Sequence, residues 1–422
     1  MINYMTLGDV CTDIIDCPHE SPEWKTQGIA VVRNFNLVNG QIDMQDGYYV
    51  DEETYIKRTR RAIPSEGDII FSREAPIGNC AIVPAGFKCC LGQRLVLLRV
   101  NHEICSSEYL LAVLQSSYVK RQIEQVSKRG SIVSNFAIGD LHELIISVLD
   151  NQEDVAHFST VLAEKISGNT AICSDLEAMA KLLYDYWFVQ FDFPNENGKP
   201  YKSSGGKMVW NEELKREIPE GWAARDLKDL TKYNSLSISK SSMPDEIDYL
   251  DTANLTENHI ENIQHILLKE GFPSRAQRIV QPWDVLFSTV RPNQHHYGII
   301  INPTKNMVAS TGFAILSMID ERENNAWLYL TLISDGIMQR LESIANSSVS
   351  SYPSINPEDI TNTTVAYPKN HKIMKQFANK VIILFEKSEM LREENQQLAS
   401  LRDFLLPMLM NGQVKVGKEA SS

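Results

Sequence analysis

No stretch of this 422-residue sequence approaches the roughly 18 consecutive apolar residues that a membrane-crossing helix needs. The opening residues, MINYMTLGDV, lack the basic and apolar regions of an export signal, so the expected location is cytoplasmic. Cysteine is sparse, with seven residues and no C-x-x-C pair. The vicinal Cys89-Cys90 and the string Cys17-Pro18-His19 lack the further ligands of a zinc site, and reduced, buried thiols are the expectation. Glycine-rich dinucleotide loops, Walker loops, nucleophile elbows and paired-histidine metal motifs are all missing. An amino-methyltransferase would carry an Asn/Asp-Pro-Pro-aromatic loop, which Asn302-Pro303-Thr304 and Asn356-Pro357-Glu358 do not supply. His295-His296 have no carboxylate or thiol beside them in the chain. No catalytic residue, metal ligand or cofactor is therefore assigned to this chain, which reads as a binder. A general excess of basic charge is missing too, the net charge being −13. That excludes a uniformly basic nucleic-acid binder and leaves only local basic footprints.

What is present is a repeat. Val155, Phe158, Leu162, Ile172, Leu176, Met179, Leu183 and Tyr186 follow the three- and four-residue steps of a heptad seam, interrupted at Lys165 and Asn169. Met374, Phe377, Val381, Leu384, Leu391, Leu398 and Leu405 make a second seam. Val155 matches Met374, Leu162 matches Val381 and Asn169 matches Ser388, each 219 positions apart. Outside the helices, Tyr109-Leu110-Leu111 matches Leu328-Tyr329-Leu330, and Asp140-Leu141 matches Asp359-Ile360. Gly67 to Ser72 parallels Trp283 to Ser288, and Val32 and Asn36 to Ile42 parallel Leu250 and Asn254 to Ile260, with the small drift that loop insertions produce. A repeat this long is a duplicated domain, since solenoid units are about 20–50 residues.

The expected architecture is α+β: two duplicated mixed α/β domains separated by a pair of long antiparallel coiled-coil helices, with pseudo-twofold symmetry. The expected segments are a first domain over 1–150, a first helix over 151–191, a linker over 192–221, a second domain over 222–368, a second helix over 369–411 and a flexible tail over 412–422. Short apolar runs broken by Gly, Pro and Asn predict strands, and 107–127 and 326–345 have helical periodicity. Pro194 ends the first long helix, because proline lacks the amide donor, and Pro407 and Gly412 end the second.

Candidate contacts come from two sources. Lys57, Arg58, Arg60 and Arg61 form one basic run, Lys128 and Arg129 another, with Arg275 and Arg278 more thinly spread in the second half. They are candidates for phosphate contact, or else solvated surface. The loops after the matched strands hold Arg73 and Asn79 in the first half and Arg291, Asn293 and Gln294 in the second. Arg, Asn and Gln are the side chains that pair bidentately with guanine or adenine edges, so these five are candidates for base contact. Different residues at matching positions suit one scaffold reading two words. The seam candidates are Val155, Phe158, Leu162, Leu176 and Leu183 on the first helix, and Phe377, Val381, Leu384, Leu391 and Leu398 on the second. Tyr184, Trp187 and Phe188 are either an outer docking face or core.

With the duplication, helices and linker together, the chain resembles the specificity subunit of type I DNA restriction–modification systems. The likeness covers essentially the whole chain and is sharpest in 178–222, 67–72 and 130–149. It implies two target-recognition domains that read the halves of a split double-stranded DNA sequence. It also implies helices that carry docking sites for methyltransferase subunits, with motor-nuclease subunits joining that core. Adenine methylation and cleavage, with S-adenosylmethionine, ATP and Mg, would belong to those partners. A helix of about 36 residues is about 54 Å long, which spans about 16 base pairs of duplex, enough to hold two half-sites apart. Two other readings stay open: a stand-alone DNA-acting enzyme, such as a fused restriction or modification protein, and a coiled-coil scaffold whose domains bind something other than DNA.

Overall fold

The apolar runs form strands where the sequence places them, at Ile29–Val32, Ile69–Ser72, Cys80–Ile82 and Leu95–Val100. The structure is a computed structural model that describes residues 2–44, 47–74, 76–127, 136–238, 243–347 and 352–415. The chain divides into two units: residues 1–170 with 393–422, and residues 171–392.

In the first unit, Cys11–Asp16, Leu95–Val100, Ile69–Ser72 and Cys80–Ile82 form an antiparallel sheet in that order. A second sheet orders Tyr48–Val50, Ile29–Val32 and Cys89–Leu91, the last two parallel. Ile2–Thr6 pairs with Ile145–Leu149, which ties the start of the unit to its end. Tyr109, fully buried on the helix Ser107–Gln115, donates its hydroxyl to Ser147 O at 2.6 Å and so anchors that helix to the pair.

The second unit repeats this plan strand for strand. Thr231–Tyr233, Phe313–Met318, Asp284–Ser288 and Tyr297–Ile300 take the places of the first sheet. Gln264–Leu267, Glu246–Leu250 and Met307–Ser310 take those of the second, with Ala276–Ile279 added at its edge. Trp222–Asp226 pairs with Thr364–Pro368. Register is kept as well: Leu95 faces Ser72 as Phe313 faces Ser288, and Val32 faces Leu91 as Leu250 faces Ala309. The turn into the central strand is also duplicated. Asp68 accepts the Ser65 amide at 2.9 Å, and Asp284 accepts the Gln281 amide at 2.8 Å. Gly67 sits at φ 82° in this turn, where a side chain is disfavoured. Its counterpart Trp283 holds φ 68°, its carbonyl pinned by the Asn325 side-chain amide at 2.7 Å.

The mixed α+β class and the duplication are thus present, and four local expectations are corrected. The predicted helix over 107–127 is two helices, Ser107–Gln115 and Ser117–Ser127, because Ser116 is extended. The one over 326–345 likewise divides into Asn325–Leu332 and Asp335–Ser347. Pro407 does not end the second long helix, which runs from His371 to Met410. So close to the terminus, little of the helix follows it, and Gly412 at φ 67° makes the stop. Residues 192–221, expected as a linker, carry a hairpin of Met208–Asn211 and Arg216–Pro219, and Phe193 and Ile218 are buried in the second unit's core.

The first long helix spans Gln152–Tyr184 and ends in a wider turn over Asp185–Val189. Both long helices contribute to both units. In the first unit, Val155 and Ala156 share a core with Leu406, Leu409 and Met410. There Asn169 donates to Glu394 at 2.8 Å and to Asn395 at 2.9 Å. In the second unit the helices run antiparallel: Cys173 meets the Ser388 carbonyl at 3.4 Å, while Trp187 and Phe188 pack on Phe377 with ring centroids 5.6 and 4.9 Å apart.

The seam of the first helix shifts part-way along. Val155 and Leu162 are buried and Phe158 half-buried, but Ile172, Met179 and Tyr186 are exposed. Burial passes instead through Ile166, Asn169, Cys173, Ala180, Tyr184 and Trp187, with Leu176 and Leu183 half-buried. The cause is that 3.6 residues per turn drift against a strict seven-residue repeat, while the small Cys173 and Ala180 allow close approach. On the second helix Phe377, Val381 and Leu391 are buried, and Leu384 and Leu398 half-buried. Of the two readings for Tyr184, Trp187 and Phe188, core holds, since all three are buried. Trp187→Ala is expected to cost about 3–5 kcal/mol in urea unfolding, whereas Tyr186→Ala stays within about 0.5 kcal/mol of the wild type.

Candidate functional site

In the first unit the loop after Ile69–Ser72 is tightly braced. Ser72 donates its hydroxyl to Glu74 O at 2.8 Å, and Ser72 N donates to Asn79 O at 2.7 Å. Arg73 is buried, with its guanidinium 2.9 Å from Asp16, its amide on Arg94 O and its carbonyl taken by Phe136 N. Asn79 is half-buried. Arg58 is not free for phosphate, because its guanidinium donates to the carbonyls of Leu91, Glu20 and Pro18 inside the domain. It pins the segment 18–20 to the end of Cys89–Leu91. Lys57 pairs with Glu53 at 2.7 Å. Arg60 and Arg61 are exposed, the latter reaching the Asp16 carbonyl at 3.4 Å. Lys128 and Arg129 lie outside the described residues.

The matching loop of the second unit turns in the same way, Ser288 donating to Val290 O at 2.8 Å. It then departs. Arg291 and His295 both take left-handed backbone, at φ 50° and 56°, around a short 3-10 turn over Pro292–Gln294 that presents Asn293 and Gln294 to solvent. The Arg291 guanidinium lies 4.9 Å from the Tyr352 ring centroid, and its amide donates to Pro353 O at 2.8 Å. His295 is 2.7 Å from Glu257, so it does have the carboxylate company that the linear sequence hides. Non-glycine residues with positive φ concentrate at functional loops, where surrounding structure holds the strain. Arg275 is exposed, and Arg278 reaches Ser237 at 3.3 Å.

Sequence reasoning missed an aromatic cluster in the first unit. Arg33 follows the strand Ile29–Val32, and its guanidinium lies 4.6 Å from the Tyr48 ring centroid, 4.8 Å from Phe35 and 5.6 Å from Trp24. These rings come from three separate segments, so no linear spacing announces them.

Charge is handled differently at one matched position. Asp68 is paired with Arg99 at 3.1 Å, whereas its counterpart Asp284 has Ser317 in place of the arginine and accepts that hydroxyl. Burial pushes the Asp284 carboxyl above its usual range, and a cavity of 210 Å³ opens beside it, lined by Lys232, Gln281 and Ser317. Ligand sites usually run to about 300–1,000 Å³, so this space is too small for one. All seven cysteines are free and buried, and burial pushes the Cys11, Cys80 and Cys89 thiols up to about 12. Among the described residues no group of three His, Cys, Asp or Glu is placed to hold a metal, and no helix is long and apolar enough to cross a membrane.

Residues 2–177 match a family described as the type I restriction modification DNA specificity domain. That is what this stretch is similar to. Two curated relatives extend the likeness over both halves of the chain. One is the type I restriction enzyme MjaIX specificity subunit of Methanocaldococcus jannaschii, 23% identical over 86% of this chain and 81% of its own length. The other is the HindI specificity subunit of Haemophilus influenzae, 22% identical over 85% of this chain and 88% of its own. The crystal structure of a type I restriction–modification S subunit from M. genitalium matches with a TM-score of 0.51 over 97% of this chain and 96% of that one. At 14% identity this establishes a shared fold. The matched stretch includes Arg33, Arg58 and Arg73, and their surroundings differ. Arg58→Ala is expected to lower stability by about 1–3 kcal/mol, by leaving buried carbonyls unpaired. Arg60→Ala, at an exposed position, is expected to stay within about 0.5 kcal/mol of the wild type in the same urea unfolding measurement.

Proposed function

We propose that this chain is the DNA sequence-recognising subunit of a type I restriction–modification complex, reading a bipartite target with one unit per half. The observation that carries this is the specificity-domain match over 2–177 together with the same sheet plan and register in the second unit. Matched positions on that common plan bear different side chains, as two unlike words require. Arg73 and Asn79 in one loop correspond to Arg291, Asn293 and Gln294 in the other. Of these, Asn293 and Gln294 are exposed, Asn79 and Arg291 half-buried, and Arg73 buried. Among the described residues, Lys57, Arg60, Arg61 and Arg275 are the exposed members of the phosphate-contact set, which positions without specifying.

The chain is proposed to be non-catalytic. Methylation of adenine with S-adenosylmethionine, and cleavage with ATP and Mg, would fall to methyltransferase and motor-nuclease subunits. A surface suited to the first of these lies on the second unit. Ile172, Met179, Leu182, Tyr186 and Val189 are exposed at steps of seven, three, four and three along the first helix. That spacing is a heptad stripe without a helix on it, and Leu182 is 68% exposed. The two long helices would set the gap between half-sites, and a seven-residue insertion in each is expected to lengthen it.

Exchanging residues 1–150 for those of a relative is expected to change one half of the methylated sequence and leave the other intact, as read by genome-wide mapping of methyladenine. A change in both halves overturns the modular reading, and methyl transfer by the purified chain alone overturns the non-catalytic one. Met179→Glu with Leu182→Glu is expected to preserve the fold and duplex binding while abolishing co-purification with the methyltransferase subunit.

A further inference from the structure

Most cations around the first unit's sheets already have a partner. Arg73 is held by Asp16, Arg99 by Asp68, Arg94 by Glu74, Lys88 by Glu52 and Lys25 by Glu23. Arg58 is occupied by backbone carbonyls. Arg33 differs. Among the described residues no carboxylate, carbonyl or hydroxyl takes a hydrogen bond from its guanidinium, which is held instead by the three rings. Two of those rings are not core, Trp24 being 40% and Phe35 43% exposed, and Tyr48, half-buried against the core of Val31 and Val50, meets both edge-on with centroids 4.9 and 5.9 Å away. Exposed aromatic rings on a soluble domain are costly unless they meet something. A guanidinium held by aromatic faces keeps all five donors and loses little freedom when it binds.

The support beneath Arg33 is rigid. Its amide donates to the buried Asn36 side chain at 2.9 Å, and Asn36 in turn donates to Asp43 O at 2.7 Å. Gly92 lies against it, and a Cβ there would stand 2.8 Å from Val32 O and 3.0 Å from Arg33 Cγ, so the neighbouring loop is shaped to the arginine.

The internal repeat supplies a comparison. Asn36 N bonds to Arg33 O and Asp43 N to Asn36 O; in the second unit Asn254 N bonds to Asp251 O and Glu261 N to Asn254 O. Arg33 and Asp251 are therefore the same position on the same loop, with opposite charge. Asp251 is engaged locally, accepting the Thr252 amide at 2.8 Å. A residue serving only the loop's fold would have no cause to reverse its charge while the loop keeps its hydrogen bonds.

We infer that Arg33 is a specificity-determining residue of the first unit, its ring-held guanidinium reading a guanine edge in the first half-site. This rests on the DNA-reading function proposed above. The chemistry is the planar fork donating to guanine O6 and N7, the commonest specific contact in the major groove. Trp24 and Phe35 act as positioning residues that hold the fork in the plane of the base.

The test is selection of bound duplexes from a randomised pool by the full-length chain, with Arg33→Ala, Arg33→Lys and Trp24→Ala beside the wild type. The wild type is expected to enrich a split sequence. Arg33→Ala and Arg33→Lys should each lose the preference for one guanine in the first word, leave the second word unchanged, and bind the wild-type sequence at least ~10-fold more weakly. The intact second word shows that the variants are folded. Trp24→Ala should weaken the preference at that same guanine and nowhere else. Lysine failing to rescue separates a planar reader from a mere positive charge. An unchanged first word in Arg33→Ala overturns the inference. So does an equal loss of affinity for every sequence with both words kept, which would make Arg33 a phosphate contact. If the wild type enriches no split sequence, the proposed function itself fails, and this inference with it.

Discussion

Neither unit completes its core from its own repeat. The first is closed by Leu406, Leu409 and Met410, from the end of the helix that follows the second repeat. The second is closed by Ala180, Tyr184, Trp187 and Phe188, from the helix that follows the first. Burial of these side chains, at about 1.5–3 kcal/mol each for the larger ones, fixes how each helix section lies on its unit. Each unit's core therefore draws on the helix that follows the other repeat in sequence.

Buried polar groups sharpen that register. Asn169 sits in the helix pair of the first unit with its amide satisfied by Glu394 and Asn395, and Asn395 in turn reaches the Ile166 carbonyl at 3.3 Å. Ser388, its counterpart by repeat, is fully buried in the second unit with its own hydroxyl unpaired, and only its backbone carbonyl is engaged, by the Cys173 thiol. A polar residue in an apolar seam disfavours every register that leaves it unpaired. Arg392 with Glu177 adds a second such lock in that unit. Small residues do the complementary work, since Cys173 and Ala180 take seam positions where Ile172 and Met179 would hold the helices further apart.

A net charge of −13 is compatible with a duplex-reading role because the useful cations are few and individually placed. Several arginines in the first unit are internal ties: Arg58 to backbone, Arg73 to Asp16, Arg99 to Asp68. The local fields left over come from Arg60 and Arg61 at the surface, from Arg33 among its rings, and from Arg291 over Tyr352. The duplicated scaffold keeps hydrogen bonds and register constant while side chains at matched positions diverge, as at Arg33 and Asp251 or Arg99 and Ser317.

The amino-acid sequence by itself determined the duplication, the strand positions, the α+β class and the existence of two long heptad helices. Those features are periodic or repeated, and periodicity survives in a linear string. Even there, the three-dimensional packing decided which stripe of the first helix is buried, because the drift of 3.6 against 3.5 residues per turn is absorbed by small side chains that a heptad count passes over. Tertiary structure alone decided which arginines are tied internally and which stay exposed. Arg58 and Arg60 are two residues apart in one basic run, yet one faces three backbone carbonyls and the other faces water. The cluster around Arg33 needed the fold for the same reason: its rings are contributed by positions 24, 35 and 48, brought together by two strands and a loop. A side chain's partners are set by what the sheet places opposite it, and that is not written in its neighbours along the chain.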